Sequence, residues 1–308
     1  MSLAGKVAIV TGSGRGLGLA YALELATQGA SIVVNDVDAG IAAEAVQSIR
    51  DAGGNAVAVV APVGITATAK ALVAAAVENF GRLDILVTNA GVLRDAVVWK
   101  MSDEDFDTVI NVHLRGTFVC VREAVIQFRE QGEGGRIICI GSPTGQRGNF
   151  GQTNYAAAKG GIVVMVRTWA LELKRAGILV NALIPVAATA MTATIPYFQK
   201  AVEAQAAGAP IPDFFRHELG FGTVADVAGT VAFLASDANT VTGQVIGVGG
   251  DRIQLWSHPD AIASEYSTGG WSYVELTTQF DDFFGGKRET VGESFPDLPA
   301  DLAPVPAS

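Results

Sequence analysis

The sequence predicts an α/β fold: a doubly wound sheet of about seven parallel strands with helices on both faces. Three observations predict it. Short β-branched runs alternate with longer Ala-rich stretches, the pattern of a parallel sheet covered by helices. Every gap between runs is long enough for the right-handed crossover that parallel strands require. The first run leads directly into a Gly-rich turn and an Ala-rich helix. A chain of 308 residues with 49% hydrophobic and 17% charged types buries a sizeable core and is neither disordered nor fibrous.

The strands follow in order. KVAIVT begins at Lys6, SIVVND at Ser31, NAVAVVA at Asn55 and LDILVTN at Leu83. RIICIGS begins at Arg136, ILVNALI at Ile178 and GQVIGVGG at Gly243. Between the first four lie helical stretches over Gly18–Gln28, Ile41–Ala52 and Ala67–Phe80. These elements predict one domain over residues 1–250. Within it, 186–222 replaces a compact connection with Thr, Met, Pro and the aromatics Tyr197, Phe198, Phe214 and Phe215, which reads as a lid or a plain surface insertion. An extension over 251–308 carries Trp256 and Trp271, either of which suits a subunit contact, the pocket mouth or an anchor for the tail. It thins into PDLPADLAPVPAS, a composition that favours an extended, poorly ordered end.

Composition removes several function classes. The balance of 21 Lys+Arg against 31 Asp+Glu gives a net charge of -10, which argues against a nucleic-acid partner. Two cysteines, Cys120 and Cys139, are too few for a disulfide scaffold and lack metal-ligand spacing. MSLAGKVAIVTG lacks the signal-peptide pattern, and the longest apolar region, Ile178 to Met191, is broken by Asn181 and Pro185. The expectation is a cytoplasmic protein without a membrane partner.

The turn after the first strand reads Thr11-Gly12-Ser13-Gly14-Arg15-Gly16-Leu17-Gly18. Glycines let the backbone approach a ligand, and the following helix offers free N–H groups and a positive dipole end to a pyrophosphate. The second strand ends in Asn35-Asp36, close to the spacing of a carboxylate that binds adenosine ribose hydroxyls. Such a carboxylate repels the extra phosphate of NADP, so NAD is expected. Arg15 argues the other way, and a helix-capping role for Asp36 is the alternative.

Ser142 follows the fifth strand, and Tyr155 and Lys159 stand one helical turn apart on a shared face. An ammonium beside a phenol lowers the phenol pKa toward the range useful for acid/base catalysis. Ser142 sits where open α/β sheets bind ligands.

With these elements in this order, the run from Lys6 to about Gly250 resembles the short-chain dehydrogenase/reductase family, whose fold is a Rossmann-like sheet. TGSGRGLG resembles its cofactor turn, Asn89-Ala90-Gly91 its NAG element, and Ser142, Tyr155 and Lys159 its catalytic residues. Asn111, in INVHLRGTF, matches the family asparagine that holds a water in the proton relay. Gly12, Ser13, Arg15, Gly16, Leu17, Gly18, Asp36, Val63, Asn89, Ala90, Gly91, Tyr155, Lys159 and Pro185 would contact the cofactor. The resemblance implies Tyr155 as general acid/base, Ser142 polarising the carbonyl, and Lys159 gripping the nicotinamide ribose. His113, beside Asn111, reads as an ordinary helical histidine.

NAGVLRD, MSDEDFD, VHLRGTF and GNFGQTNYAAAKGG are similar to the (3R)-hydroxyacyl-CoA dehydrogenase domain of peroxisomal multifunctional enzyme type 2, also called 17β-hydroxysteroid dehydrogenase type 4. This implies NAD-dependent interconversion of a secondary alcohol and a ketone on a 3-hydroxyacyl-CoA or steroid-like apolar substrate, in a homodimer or homotetramer. Pro62-Val63 departs from the family's usual Asp-Val, and Ala190 stands where that domain has an arginine before Met-Thr, which removes an anionic CoA contact. The alternatives are an NADP-dependent 3-oxoacyl carrier-protein or ketone reductase, and a non-catalytic dinucleotide-binding sensor or scaffold.

Overall fold

A computed structural model describes residues 2–189 and 192–303. Ala190, and the last five residues of the expected disordered end, lie outside them.

The seven apolar runs form β1 (Val7–Val10), β2 (Ser31–Asp36), β3 (Asn55–Val60), β4 (Ile85–Thr88), β5 (Gly135–Ile140), β6 (Ile178–Pro185) and β7 (Val245–Gly249). All seven pair in parallel. Their continuous apolar composition reflects burial on both faces: β1, β4 and β7 have no exposed residue. An eighth strand, β8 (Arg252–Leu255), joins antiparallel to β7, giving the order β3-β2-β1-β4-β5-β6-β7-β8. Its Ile253 and Leu255 are exposed, so β8 is an edge strand with none of the burial pattern that marks the others.

Strand order reverses between β1 and β4, and the crossovers therefore place helices on opposite faces. One face carries α1 (Gly16–Thr27), α2 (Ala39–Asp51) and α9 (Val224–Ala235), which bury Tyr21, Leu25, Ile49 and Val231 against the sheet. The other carries α3 (Thr66–Phe80), α5 (Gly116–Gln131) and α7 (Thr153–Leu173), with Leu72, Phe128, Ile162 and Val166 in its core. Cys120 and Cys139 are both buried and free in this second core. Among the described residues, no helix is long and apolar enough to cross a membrane.

Two features shape the space above the carboxyl ends of the strands. The short α4 (Asp103–Val109), capped by Ser102, continues through a π-helical turn (Ile110–Arg115) into α5. After β6 the chain makes 3-10 turns at Thr192–Thr194 and Pro196–Phe198, then α8 (Gln199–Ala206) and a second π turn (Phe214–Glu218). This excursion has a small core of its own, in which Phe198 stacks on Phe221 at 4.3 Å and Phe215 is fully buried. It is a packed unit, not a loose surface insertion. Beyond β8, α10 (Tyr273–Phe284) buries none of its residues, and the chain then returns to the excursion, where Leu298 and Leu302 pack.

Candidate active site

The reversal of strand order leaves a cleft of about 1270 Å³ over β1 and β4. The Gly-rich turn forms one end of it. Thr11 Oγ1 accepts from the backbone N–H groups of Asn89 (2.9 Å) and Ala90 (3.1 Å). Asn89 Nδ2 donates back to the carbonyls of Thr11 and Gly12, both at 3.0 Å. These bonds staple the turn after β1 to the turn after β4. A Cβ on Gly12 would lie 2.7 Å from Ala90 Cα, and one on Gly14 would lie 2.5 Å from Asp36 Oδ2. Gly16 has φ +59 and open space around its Cβ position, at the amino end of α1. The turn is thus a cradle with bare backbone facing the cleft, and the free N–H groups of α1 suit a pyrophosphate. The residues present fit a dinucleotide.

Asp36 ends β2 and lines the cleft beside Arg15, Val37 and Pro62. Its Oδ1 accepts from Val37 N (2.8 Å) and Asp38 N (3.2 Å), and the cap of α2 is Asp38, whose side chain accepts from Ile41 N. The capping alternative for Asp36 therefore falls to its neighbour. Ser13 is different. It is fully buried, its hydroxyl donates to the Val10 carbonyl (2.7 Å), its N–H bonds Asn35 O (2.8 Å), and it does not line the cleft. Ser13 braces the turn from behind. Gly12, Arg15, Gly16, Leu17, Gly18, Val63, Asn89, Ala90, Gly91 and Pro185 all line the cleft.

Ser142, Tyr155 and Lys159 meet at the centre of the cleft. Ser142 follows β5, and its Oγ accepts from Thr144 N at 3.2 Å. Tyr155 and Lys159 project from one face of α7, as their spacing dictates. Lys159 is 3% exposed, its Nζ donates to the Ile140 carbonyl at 2.7 Å, and it lies 5.6 Å from the Tyr155 ring centroid. Burial lowers the Lys159 pKa from 10.5 to about 7. Burial also raises the Tyr155 phenol above its ordinary value, opposed by a hydrogen bond with Ser142. Burial dominates at both groups, and the Asp95 charge adds to the rise at Tyr155.

Asn111 is not brought to this centre. Its side chain is exposed and lies against Gly64, at the end of β3, outside the cleft lining. The residues of that π turn that line the cleft are Val112 and His113. His113 is 2% exposed and stands perpendicular to the Tyr155 ring at 5.1 Å. Its Nε2 lies 3.0 Å from Val92 N and 2.8 Å from Val92 O, while Nδ1 is buried without a partner. Burial pushes its pKa down to about 3, so the ring is neutral. A Cβ on Gly91 would collide with His113 Cε1, which explains a glycine at that point of the turn. The only sequence signal for His113 was its proximity to Asn111. The aromatic expectations divide as well: Phe198 and Trp256 line the cleft, whereas Trp271 packs edge-on to Phe283, away from it.

The sequence profile of the short chain dehydrogenases matches residues 6–199. The chain belongs to the short-chain dehydrogenase family. Hydroxyacyl-CoA dehydrogenase ChsB1 of Mycobacterium tuberculosis is 42% identical over 311 residues, 96% of this chain and 94% of that protein. A 3-oxoacyl-[acyl-carrier-protein] reductase of Thermotoga maritima is 38% identical over 255 residues, 82% of this chain and 100% of that one. The crystal structure of a short chain dehydrogenase from Mycobacterium avium superposes with a TM-score of 0.80 at 35% identity, covering 94% of this chain and 98% of its own. The protein is an oxidoreductase acting on CH–OH groups, of a family that binds NAD or NADP.

Proposed function

We propose that this protein uses NAD to interconvert a 3-hydroxyacyl and a 3-oxoacyl thioester with a bulky apolar acyl group. The observation that carries the reading is the convergence of Ser142, Tyr155 and Lys159 in one cleft with a bare-backbone glycine cradle. Gly12, Gly16, Leu17, Gly18 and the Asn89–Gly91 turn would hold the dinucleotide, with Asp36 on the adenosine ribose. A bound NAD would supply the hydride acceptor for the substrate carbon.

The chain's own residues do the rest. Ser142 holds the substrate oxygen next to the Tyr155 hydroxyl, and Tyr155 takes the alcohol proton as general base, or returns it in the reverse direction. Lys159, whose pKa burial lowers to about 7, would relay that proton toward solvent and would hold the nicotinamide ribose. Neutral His113 supplies an apolar, fixed wall for the Tyr155 ring and holds the Gly91-Val92 turn through Nε2. The excursion over 186–222 acts as the lid.

The substrate end supports the acyl assignment. A cleft of about 1270 Å³ exceeds the ordinary ligand-pocket range of about 300–1,000 Å³, leaving space for a second ligand beside a dinucleotide. Ile195, Phe198, Leu219, Phe221, Trp256 and Phe295 line that space with apolar surface. The ChsB1 relative carries the name of a hydroxyacyl-CoA dehydrogenase and accounts for nearly all of this chain. The carrier-protein reductase, aligned over its whole length, leaves about a fifth of this chain without a counterpart.

Tyr155→Phe tests the reading. Turnover of 3-hydroxyacyl thioesters should fall by about 10²–10⁴-fold while NADH still binds. Turnover within threefold of the parent would refute the assignment. One observation favours NADP as a second reading: Arg15 lines the same cleft as Asp36, and its cation would suit an additional phosphate.

A further inference from the structure

After α10 the chain returns to the cleft and crosses it. The Gly292 N–H donates to the Arg147 carbonyl at 2.8 Å, and Arg147 Nε donates back to the Gly292 carbonyl at 3.0 Å. Four residues later Tyr197 Oη donates to the Pro296 carbonyl at 2.7 Å, and Phe295 stacks on the Tyr197 ring at 4.8 Å. Arg147 ends the short α6 (Thr144–Arg147), on the wall that carries Ser142. Tyr197 belongs to the excursion, the opposite wall. Residues 292–296 therefore bridge the two walls. Glu293, Ser294, Phe295 and Pro296 line the cleft on their inner side and are exposed on the outer. Beyond them, Leu298 and Leu302 pack against the core of the excursion, so apolar burial anchors the far end more firmly than one hydrogen bond could.

A bar pinned at both ends divides ligands by how they arrive. An acyl chain on a free nucleotide carrier brings no folded surface to the rim. The same acyl chain on a carrier protein must be delivered with a folded surface pressed against the rim, and the bar occupies that rim. Glu293 sits at the mouth with Arg147 and Arg252 near it, and both guanidinium groups also bond backbone carbonyls, Arg147 that of Gly292 and Arg252 those of Glu218 and Leu219.

We propose that the strap Gly292–Pro296 selects the carrier, admitting thioesters of a free nucleotide carrier and excluding those of a carrier protein. The inference rests on the thioester reading above and narrows it. The experiment compares kcat/KM for one 3-oxoacyl group presented on coenzyme A and on an acyl carrier protein, with NADH as reductant. It uses the full chain, a chain lacking residues 289–308, and the double variant Tyr197→Phe/Phe295→Ala, which loosens the strap without shortening the chain. The full chain should prefer coenzyme A at least tenfold, and both variants should reduce that preference at least fivefold. NADH titration confirms that each variant is folded. Equal use of the two carriers by the full chain overturns the strap's role and leaves the thioester reading intact, as does an unchanged preference in both folded variants. No reduction of either thioester by a full chain that binds NADH overturns the thioester reading, and the inference falls with it.

Discussion

Lys159 gives the most direct physical test of the site. Its ammonium is buried with one hydrogen-bond acceptor, the Ile140 carbonyl, and its pKa is lowered from 10.5 to about 7 by burial. A base whose folded pKa is depressed binds fewer protons folded than unfolded between the two values, so stability rises with pH across that window. At about 1.4 kcal/mol per pKa unit, the full penalty below pH 7 is about 5 kcal/mol, and about 3 to 4 kcal/mol of it is relieved between pH 7 and pH 10. Lys159→Met keeps most of the stem volume and removes the titration. Urea unfolding of parent and variant at pH 7, 8.5 and 10 isolates the lysine, because the buried tyrosines and cysteines titrate in both chains. The parent should gain about 3 to 4 kcal/mol relative to the variant over that range. A difference that stays flat within about 1 kcal/mol would mean that Lys159 is solvated or ion-paired, and the account of a near-neutral lysine in the relay would fail.

Other outcomes follow from the same geometry. Asp36→Asn should narrow the preference for NADH over NADPH by at least tenfold, about 1.4 kcal/mol, read by energy transfer from Trp256 at the cleft to the bound nicotinamide. An unchanged ratio would move cofactor choice from Asp36 to Arg15. Asn111→Ala should leave kcat within twofold, because that side chain lies outside the cleft, whereas His113→Ala should lower kcat at least tenfold and widen its pH profile. The reverse order of effects would restore Asn111 to the site.

Much of the fold was legible because six of the seven parallel strands, all but the edge strand β3, have no exposed residue, and burial writes itself into composition as runs of Val, Ile, Leu and Ala. Helix positions followed from the gaps between runs, and the two free cysteines from their apolar settings. The eighth strand carried no such mark. Arg252–Leu255 lies at the sheet edge with Ile253 and Leu255 in solvent, held by pairing to β7 and by the Arg252 side chain on the Glu218 and Leu219 carbonyls, and backbone pairing leaves no pattern in side-chain type. The strap was hidden for a related reason. Gly292–Pro296 carries no apolar run, and its placement depends on Tyr197 and Arg147, more than ninety residues away in one case and more than a hundred in the other.

The site shows where residue type misleads when local geometry is irregular. Tyr155 and Lys159 stand on the regular α7, so their spacing alone placed both side chains on one face. Asn111 and His113 stand on a π turn between two α-helices, where one extra residue per turn rotates the facing positions away from those that a regular helix projects. An asparagine chosen by its type and neighbourhood then lands against Gly64, and the histidine two residues on takes the place beside Tyr155. The collision that a Cβ on Gly91 would make with His113 Cε1 binds the two turns into one design: a bulkier residue at 91 requires a smaller one at 113. A glycine that no turn geometry demands, since Gly91 is not among the positive-φ positions, therefore points to a close neighbour, and here that neighbour lies in the active site.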